Sequence, residues 1–381
     1  MPSVLIVAHH YPPHIGGLEV VAWRQAQSLA ENGYQVTVLT SRYGSSGPQS
    51  DGPGQIEVIR VPCWHLFESA FSIVFPLFSP SLLYKLWQQV KRAQVVHIHD
   101  VFYMSSWAAC IFASLAQKPI VLTQHVALVS HSSNLVMLIQ RLVYATAGRW
   151  IFSKARQIIV YNRRVFDFLH SRGIQESQIL LMANGIDTAM FCPGTLKERT
   201  EIRARFGLPL ERRLILFVGR LVEQKGYEIL LASREPSFDI VLVGPGSTHI
   251  RSADSNVHWI GPLDQNSTRE MYRACDLFVF PAIGEVFPLV IQEAMASGLP
   301  VITTKEPAYD DAIACGSVIL SRRDAASFKA AIIRLLSDTN RMSELAAQGR
   351  MIAVRHFDWR ENVSQLLDVY SAVLGWRRNN K

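Results

Sequence analysis

From the N-terminus the chain alternates short apolar runs with helix-length stretches whose apolar positions recur every three or four residues. SVLIVA gives way to GLEVVAWRQAQSLAENG, and QVTVLT, IEVIRV, AQVVHIHD, PIVLTQH and QIIVYN follow at intervals. Apolar runs of this length bounded by turn signals read as strands buried on both faces, with helices covering the sheet between them. The spacing predicts a helix over 18–31, closed by Gly33 just past its last periodic position. The same rhythm restarts in the second half with RLILFVGR, DIVLVGPG, NVHWIG, CDLFVFPA and LPVITT. Two doubly wound parallel α/β sheets in series are expected, and a length of 381 residues suits two domains. Gly, Pro and charge mix in NGIDTAMFCPGTLKERTEIRARFGLP, which puts the junction near residues 184–195. We therefore expect a first domain over 1–187, a second over 188–355 and a closing helix in 356–381.

Two segments depart from the pattern. Residues 62–92 and 126–153 are rich in Phe, Leu, Val and Trp, yet Glu68, Pro76 and Pro80 interrupt the first and Arg141 with Arg149 the second. Neither is an uninterrupted apolar stretch of about 20 residues, the length a spanning helix needs. They read as helices packed on the sheet, or as an exposed apolar surface beside Lys85, Lys91, Arg92, Arg141, Arg149 and Lys154 that would rest on a membrane.

Composition narrows the class. A chain that is 49% hydrophobic and 18% charged is globular, neither disordered nor fibrous. Cys63, Cys110, Cys192, Cys275 and Cys315 are scattered and form no C-x-x-C pair, so buried reduced thiols are expected. The start MPSVLIVAHHYPP lacks the basic n-region of a signal peptide, and a cytoplasmic address is expected. Of the formal charge of +7, residues 1–185 carry 14 Lys/Arg against 8 Asp/Glu, and residues 186–381 carry 24 against 23. The basic first half is either a solvated face or a surface for an anionic membrane. Nucleic acid is not expected as a partner, because no Lys/Arg-rich run, zinc spacing or aromatic RNA-binding pattern occurs.

The chemistry concentrates at strand ends. In EVFPLVIQEAMASG, residues 285–298, Pro288 suits the first helical position and Gly298 the position past the end. Phe287 has no side-chain oxygen, so the N–H groups of Leu289 and Val290 lack a cap from it and would attract phosphate. Glu285 precedes that helix and Glu293 lies within it, a spacing that suits the hydroxyls of a sugar and of a ribose. Upstream, Gly219, Arg220 and Lys225 in FVGRLVEQKG stand at another strand end, where a guanidinium fork and a lysine can clamp a diphosphate.

GRLVEQKG, PAIGEVFPLVIQEAMASGLPVITT, NGIDTAMFCP and HIGGLE, in chain context, resemble the retaining nucleotide-sugar glycosyltransferases of family four, which have the GT-B fold of two Rossmann-like domains facing a cleft. HFDWRENVSQLLDVYSAVL resembles the closing helix that in this family crosses back to the first domain. The resemblance implies that Arg220 and Lys225 hold the donor's phosphates and that Glu293 binds the ribose. Glu285, with the adjacent backbone of Val286, Phe287, Pro288, Leu289 and Val290, would engage the sugar, and Leu263 would line the nucleobase. Gly16 and Gly17 would let backbone N–H groups approach the diphosphate. His125 matches the family's active-site histidine, with His97 and His99 as weaker candidates, while Asn184, Gly185 and Asp187 shape the junction. The family's loop often reads E-G-F-G where this chain has E-V-F-P, and Pro288 removes one N–H donor.

The expected function is transfer of a hexose-type sugar from a UDP- or GDP-linked donor to a glycan or lipid-linked acceptor bound by the first domain. No two aspartates are separated by a single intervening residue, so the D-x-D metal clamp is missing, and neither a metal nor a cofactor is expected. Alternatives are a sugar-nucleotide epimerase on the same fold and a non-catalytic sugar-nucleotide binder. A dehydrogenase on DIVLVGPGS lacks the full dinucleotide fingerprint.

Overall fold

A computed structural model describes residues 1–14, 17–42, 50–51, 56–64, 77–128, 133–182, 185–246, 255–284, 288–305 and 316–375. The chain divides into two compact units, Met1–Met182 with Asn362–Lys381, and Ala183–Glu361.

The first unit runs β1 (Ser3–Val7), α1 (Gly17–Glu31), β2 (Gln35–Ser41), β3 (Ile56–Val61), α2 (Ser81–Arg92), β4 (Val95–His99), α3 (Met104–Leu115) and β5 (Ile120–Gln124). It continues through α4 (Asn134–Val143), a π-helical turn at Tyr144–Gly148, α5 (Arg149–Lys154), β6 (Ala155–Val160), α6 (Arg163–His170) and β7 (Ile179–Leu181). These strands lie in the order β7-β6-β5-β4-β1-β2-β3 and pair in parallel, with Ser50–Asp51 antiparallel on the β3 edge. Val4 on β1 sits between Val36 and Val95, the β-branched packing a doubly covered sheet requires. On one face Leu86, Ala109, Ile151 and Phe152 from α2, α3 and α5 close the core. Gly33 ends α1 with φ 83°, as the periodicity indicated.

The second unit contains α7 (Leu196–Arg205), β8 (Arg213–Val218), α8 (Tyr227–Ala232), β9 (Phe238–Val243), β10 (Val257–Gly261), α9 (Gln265–Ala274) and β11 (Leu277–Phe280). It ends with α10 (Leu289–Ala296), β12 (Val301–Thr304), β13 (Ile319–Ser321), α11 (Ala325–Leu336), α12 (Thr339–His356) and the start of α13 (Trp359–Leu374). Its parallel sheet has the order β10-β9-β8-β11-β12-β13. Both sheets thus share one winding, outward from the first strand in one direction and then in the other. Asp276, directly before β11, accepts from Leu214 N on β8 at 2.8 Å and pairs with Arg203 on α7 at 2.9 Å. That buried carboxylate fixes the two strands on which the second unit's winding reverses.

The backbone leaves and rejoins the second unit at one place. Ile186 bridges Asp358 in parallel, its N–H donating to Phe357 O and its carbonyl accepting from Trp359 N, both at 2.8 Å. The boundaries expected at 187 and 355 differ from the division between the units, which falls after Met182 and after Glu361. Asn184 lies outside the described residues, Gly185 stands against Trp359, and Asp187 Oδ1 accepts from Ala189 and Met190 N at 3.0 and 2.9 Å. From Asn362 onward α13 belongs to the first unit, where Leu366, Leu367, Tyr370 and Val373 are buried against Tyr34 and Val36. Each such side chain contributes about 1.5–3 kcal/mol.

The two apolar segments resolve differently. Of residues 62–92, Ser81–Arg92 is helical, Cys63–Trp64 and Leu77–Phe78 form a short antiparallel pair, and residues 65–76 lie outside the described residues. The thiol expectation needs amending: Cys110 and Cys275 are buried, but Cys63 and Cys192 are only half-buried, and Cys315 lies outside the described residues. Arg273 donates to Cys192 Sγ at 2.8 Å.

Candidate active site

At the carboxyl ends of β8 and β11 the winding of the second sheet reverses, and open α/β sheets bind ligands outside such a point. Gly219 follows β8 and donates its N–H to Val243 O at 2.9 Å, and Arg220 beyond it is exposed. The chain then enters a 3₁₀ turn at Glu223–Lys225 and reaches α8 through Gly226. Gly226 has φ 72°, and a Cβ there would stand 2.2 Å from Pro281 O. Only glycine lets this turn press against the backbone leaving β11. Lys225 Nζ consequently lies 5.6 Å from the Phe280 ring at the end of β11, and Ile283 N–H donates to Gln224 O at 3.0 Å.

Pro288 caps α10 rather than opening it. Its φ of −66° is what the pyrrolidine ring dictates, but its ψ of 117° is extended, so the first helical residue is Leu289. The cap makes no side-chain hydrogen bond, as expected of proline. Leu289 and Val290 are half-buried on the first turn, and Leu263 is half-buried after β10. Glu293, one turn further along α10, is oriented from below: the buried Tyr272 hydroxyl donates to Glu293 Oε2 at 2.9 Å. Burial, and then the adjacent carboxylate, hold the Tyr272 phenol well above its ordinary pKa, so it remains a donor. Gly16, Glu285, Val286 and Phe287 lie outside the described residues.

In the first unit the sheet reverses between β1 and β4, and a set of imidazoles gathers at their carboxyl ends. His125 follows β5 and is buried, its N–H donating to Asp100 Oδ1 at 2.9 Å. Its Nε2 pairs with Nδ1 of His99 at 3.1 Å, so one ring donates and the other accepts. Asp100 is itself in the left-handed region at φ 60°. Burial pushes its carboxyl up to about 7, against the lowering effect of the backbone N–H groups it accepts from. His9 stacks on Tyr103 at 3.7 Å, and His10 on His14 at 4.3 Å. Burial lowers His9, His97 and His125 well below the usual imidazole range and His99 to about 3, with neighbouring imidazoles adding to the effect on His9, His97 and His125. These rings are neutral at pH 7. Gly17 begins α1.

Two family models match the chain in succession. "Glycosyltransferase Family 4" matches residues 15–190 and "Glycosyl transferases group 1" matches residues 198–352. The chain belongs to the family-four glycosyltransferases. This transferase is 27% identical to a D-inositol 3-phosphate glycosyltransferase of Xylanimonas cellulosilytica over 97% of its own length and 96% of the relative's. A Corynebacterium efficiens protein of the same name is 24% identical over 93% and 90% of the two chains. Among solved structures it resembles sucrose-phosphate synthase from Thermosynechococcus elongatus, with TM-score 0.78, 21% identity and coverage of 98% and 100%. It also resembles Anabaena HepE in complex with UDP, with TM-score 0.77, 18% identity and the same coverage. The fold of the transferase is GT-B, and each unit is a Rossmann-like domain.

Sequence reasoning missed three positioning residues of the transferase and misjudged one candidate. Tyr272, Asp100 and Arg323 were not singled out. Arg323 ties the 3₁₀ turn to the β11 exit, with Nε donating to Pro281 O at 3.1 Å and Nη2 to Glu223 O at 2.8 Å. None of the three lies in a motif that names it, and each acts on a partner distant in sequence. His97 is no ligand candidate: its Nδ1 meets Tyr370 Oη at 2.6 Å and its Nε2 meets Thr123 Oγ1 at 2.7 Å. It is a buried linkage between β4, β5 and α13.

Proposed function

We propose that this transferase moves a hexose-type sugar from a UDP- or GDP-linked donor to a hydroxyl of a glycan or lipid-linked acceptor in the cytoplasm. In this reading Arg220 grips the diphosphate as a fork and Lys225 as a point charge, and the N–H groups at the start of α10 complete the anion site. Glu293, oriented by Tyr272, meets the ribose hydroxyls. Glu285 meets the sugar, and Leu263 the base. In the first unit, which carries the acceptor, His125 serves as a neutral hydrogen-bond partner for a sugar hydroxyl.

The bond from the anomeric carbon to the diphosphate oxygen breaks, and the bond to the acceptor oxygen forms on the same face, so configuration is retained. The acceptor proton passes to the departing phosphate. Charge on that leaving group is met by Arg220, Lys225 and the helix amides, without a divalent ion or a covalent sugar–enzyme intermediate.

The observation carrying this reading is the seating of Lys225 by Gly226 against the β11 exit, directly before the helix that bears Glu293. The relatives' names support a second reading of the acceptor as a phosphorylated polyol. Thermal shift against UDP-glucose, UDP-GlcNAc, UDP-galactose and GDP-mannose tests the donor, because ligand at a hundred times its dissociation constant adds about 2.7 kcal/mol. Nucleoside diphosphate release that rises with a lipid-linked glycan, or instead with an inositol phosphate, assigns the acceptor. NMR of the product's anomeric proton reads the configuration. Donor consumption that proceeds fully without any acceptor would favour the epimerase alternative.

A further inference from the structure

α4 is amphipathic in the wrong direction for a helix packed on a sheet. Leu135, Leu138, Ile139 and Leu142, spaced i, i+3, i+4, i+7, form one stripe, and all four are exposed, at 64%, 61%, 46% and 60%. The buried residue of this helix is the polar Gln140. An apolar stripe that faces water is ordinarily covered by something. Other helices of the first unit expose apolar side chains as well, Leu83 and Tyr84 on α2 and Ile111 and Leu115 on α3.

Charge selects the occupant. Between Asp100 and Asp167 the sequence has seven Lys or Arg and no acidic residue, and Arg141, Arg149 and Lys154 of this stretch are exposed on α4 and α5. An apolar stripe edged only by cations matches a surface that is apolar inside and anionic at its boundary. Among the described residues no helix is long and apolar enough to cross a membrane, so the fit is to lying on one. We propose that α4 is a membrane-docking helix, its Leu135/Leu138/Ile139/Leu142 face entering the headgroup region of an anionic bilayer while Arg141, Arg149 and Lys154 pair with lipid phosphates.

The full chain, mixed at low salt with vesicles of phosphatidylcholine alone or of phosphatidylcholine with phosphatidylglycerol, tests this by co-sedimentation. The expected result is binding to the anionic vesicles only, reduced at least about tenfold in Leu138→Glu/Leu142→Glu and several-fold in Arg141→Glu/Arg149→Glu. All four side chains are exposed, so unchanged circular dichroism and melting should accompany the loss. Binding that is absent in the wild-type chain, or undiminished in the leucine variant, overturns the proposal. So does a lipid-free dimer that the leucine variant dissociates, which would assign the stripe to a second copy of the chain. Docking and transfer fail separately: loss of vesicle binding with a retained nucleotide-induced thermal shift concerns docking alone.

Discussion

Tyr272 stands 21 positions before Glu293 and donates the hydrogen bond that fixes its carboxylate. A hydrogen bond to a charged group is worth about 1.5–3 kcal/mol. Tyr272→Phe should therefore weaken nucleotide binding roughly tenfold while leaving the fold intact, measured by calorimetric titration with UDP or GDP; an unaltered affinity would detach Tyr272 from the site. The E-x7-E spacing could be read from the sequence because both glutamates lie in one short segment. Tyr272 could not, since nothing in QNSTREMYRA marks that its one aromatic turns toward α10. The histidines make a second prediction at this scale. His9, His97, His99 and His125 all titrate below their ordinary value of 6.5 in the folded chain. The unfolded chain then binds more protons, so their contribution to stability is full above about pH 6.5 and is lost as pH falls toward the folded values. Asp100, raised to about 7, acts in the opposite sense and loses its contribution as pH rises. Around them stand Glu19 from α1, His14 ahead of that helix, Tyr161 after β6 and Tyr370 from α13. With four groups against one, the melting temperature should drop between pH 7 and pH 5, and Asp100→Asn should steepen the drop. A melting temperature flat across that interval would contradict the burial of the set.

At the scale of elements, the turn at Gly226 carries the geometry of the proposed donor site. Gly226 and Gly33 both have positive φ, 72° and 83°, but a Cβ at Gly33 meets nothing within 4 Å whereas one at Gly226 would stand 2.2 Å from Pro281 O. Gly33→Ala should cost only the left-handed penalty of about 1–2 kcal/mol. Gly226→Ala must also push the 3₁₀ turn off β11, so it should melt lower than Gly33→Ala and bind nucleotide more weakly. Equal melting of the two variants would mean the turn has room to move. The strands and the helix over 18–31 were legible because buried parallel strands leave continuous apolar runs. α4 was less so: an apolar run at helical spacing has the same pattern whether its stripe is buried or exposed, and only the burial of Gln140 on the opposite side tells the two apart.

For the whole molecule, the restart of the strand rhythm after residue 195 announced two sheets, but periodicity could not reveal that the last helix returns to the first unit. That return rests on contacts more than two hundred positions apart, among them His97 with Tyr370 and Arg156 with Val373 O. Ending the chain at Glu361 would remove Leu366, Leu367, Tyr370 and Val373 from the first unit's core. Such a truncation should aggregate or lose cooperative unfolding, whereas Tyr370→Phe should cost only about 1–3 kcal/mol. A soluble, cooperatively folded truncation would show that α13 is dispensable. The central claim is that the second unit grips a nucleoside diphosphate between its cationic turn and α10. Calorimetric titration of UDP and of GDP into the wild-type chain and into Lys225→Ala tests it most directly. The account predicts that one of the two nucleotides binds and that the variant loses at least about tenfold in affinity, the 1.4 kcal/mol or more expected of a charge-assisted contact, at unchanged melting temperature. Absence of binding by both nucleotides, or equal binding by the variant, would contradict it.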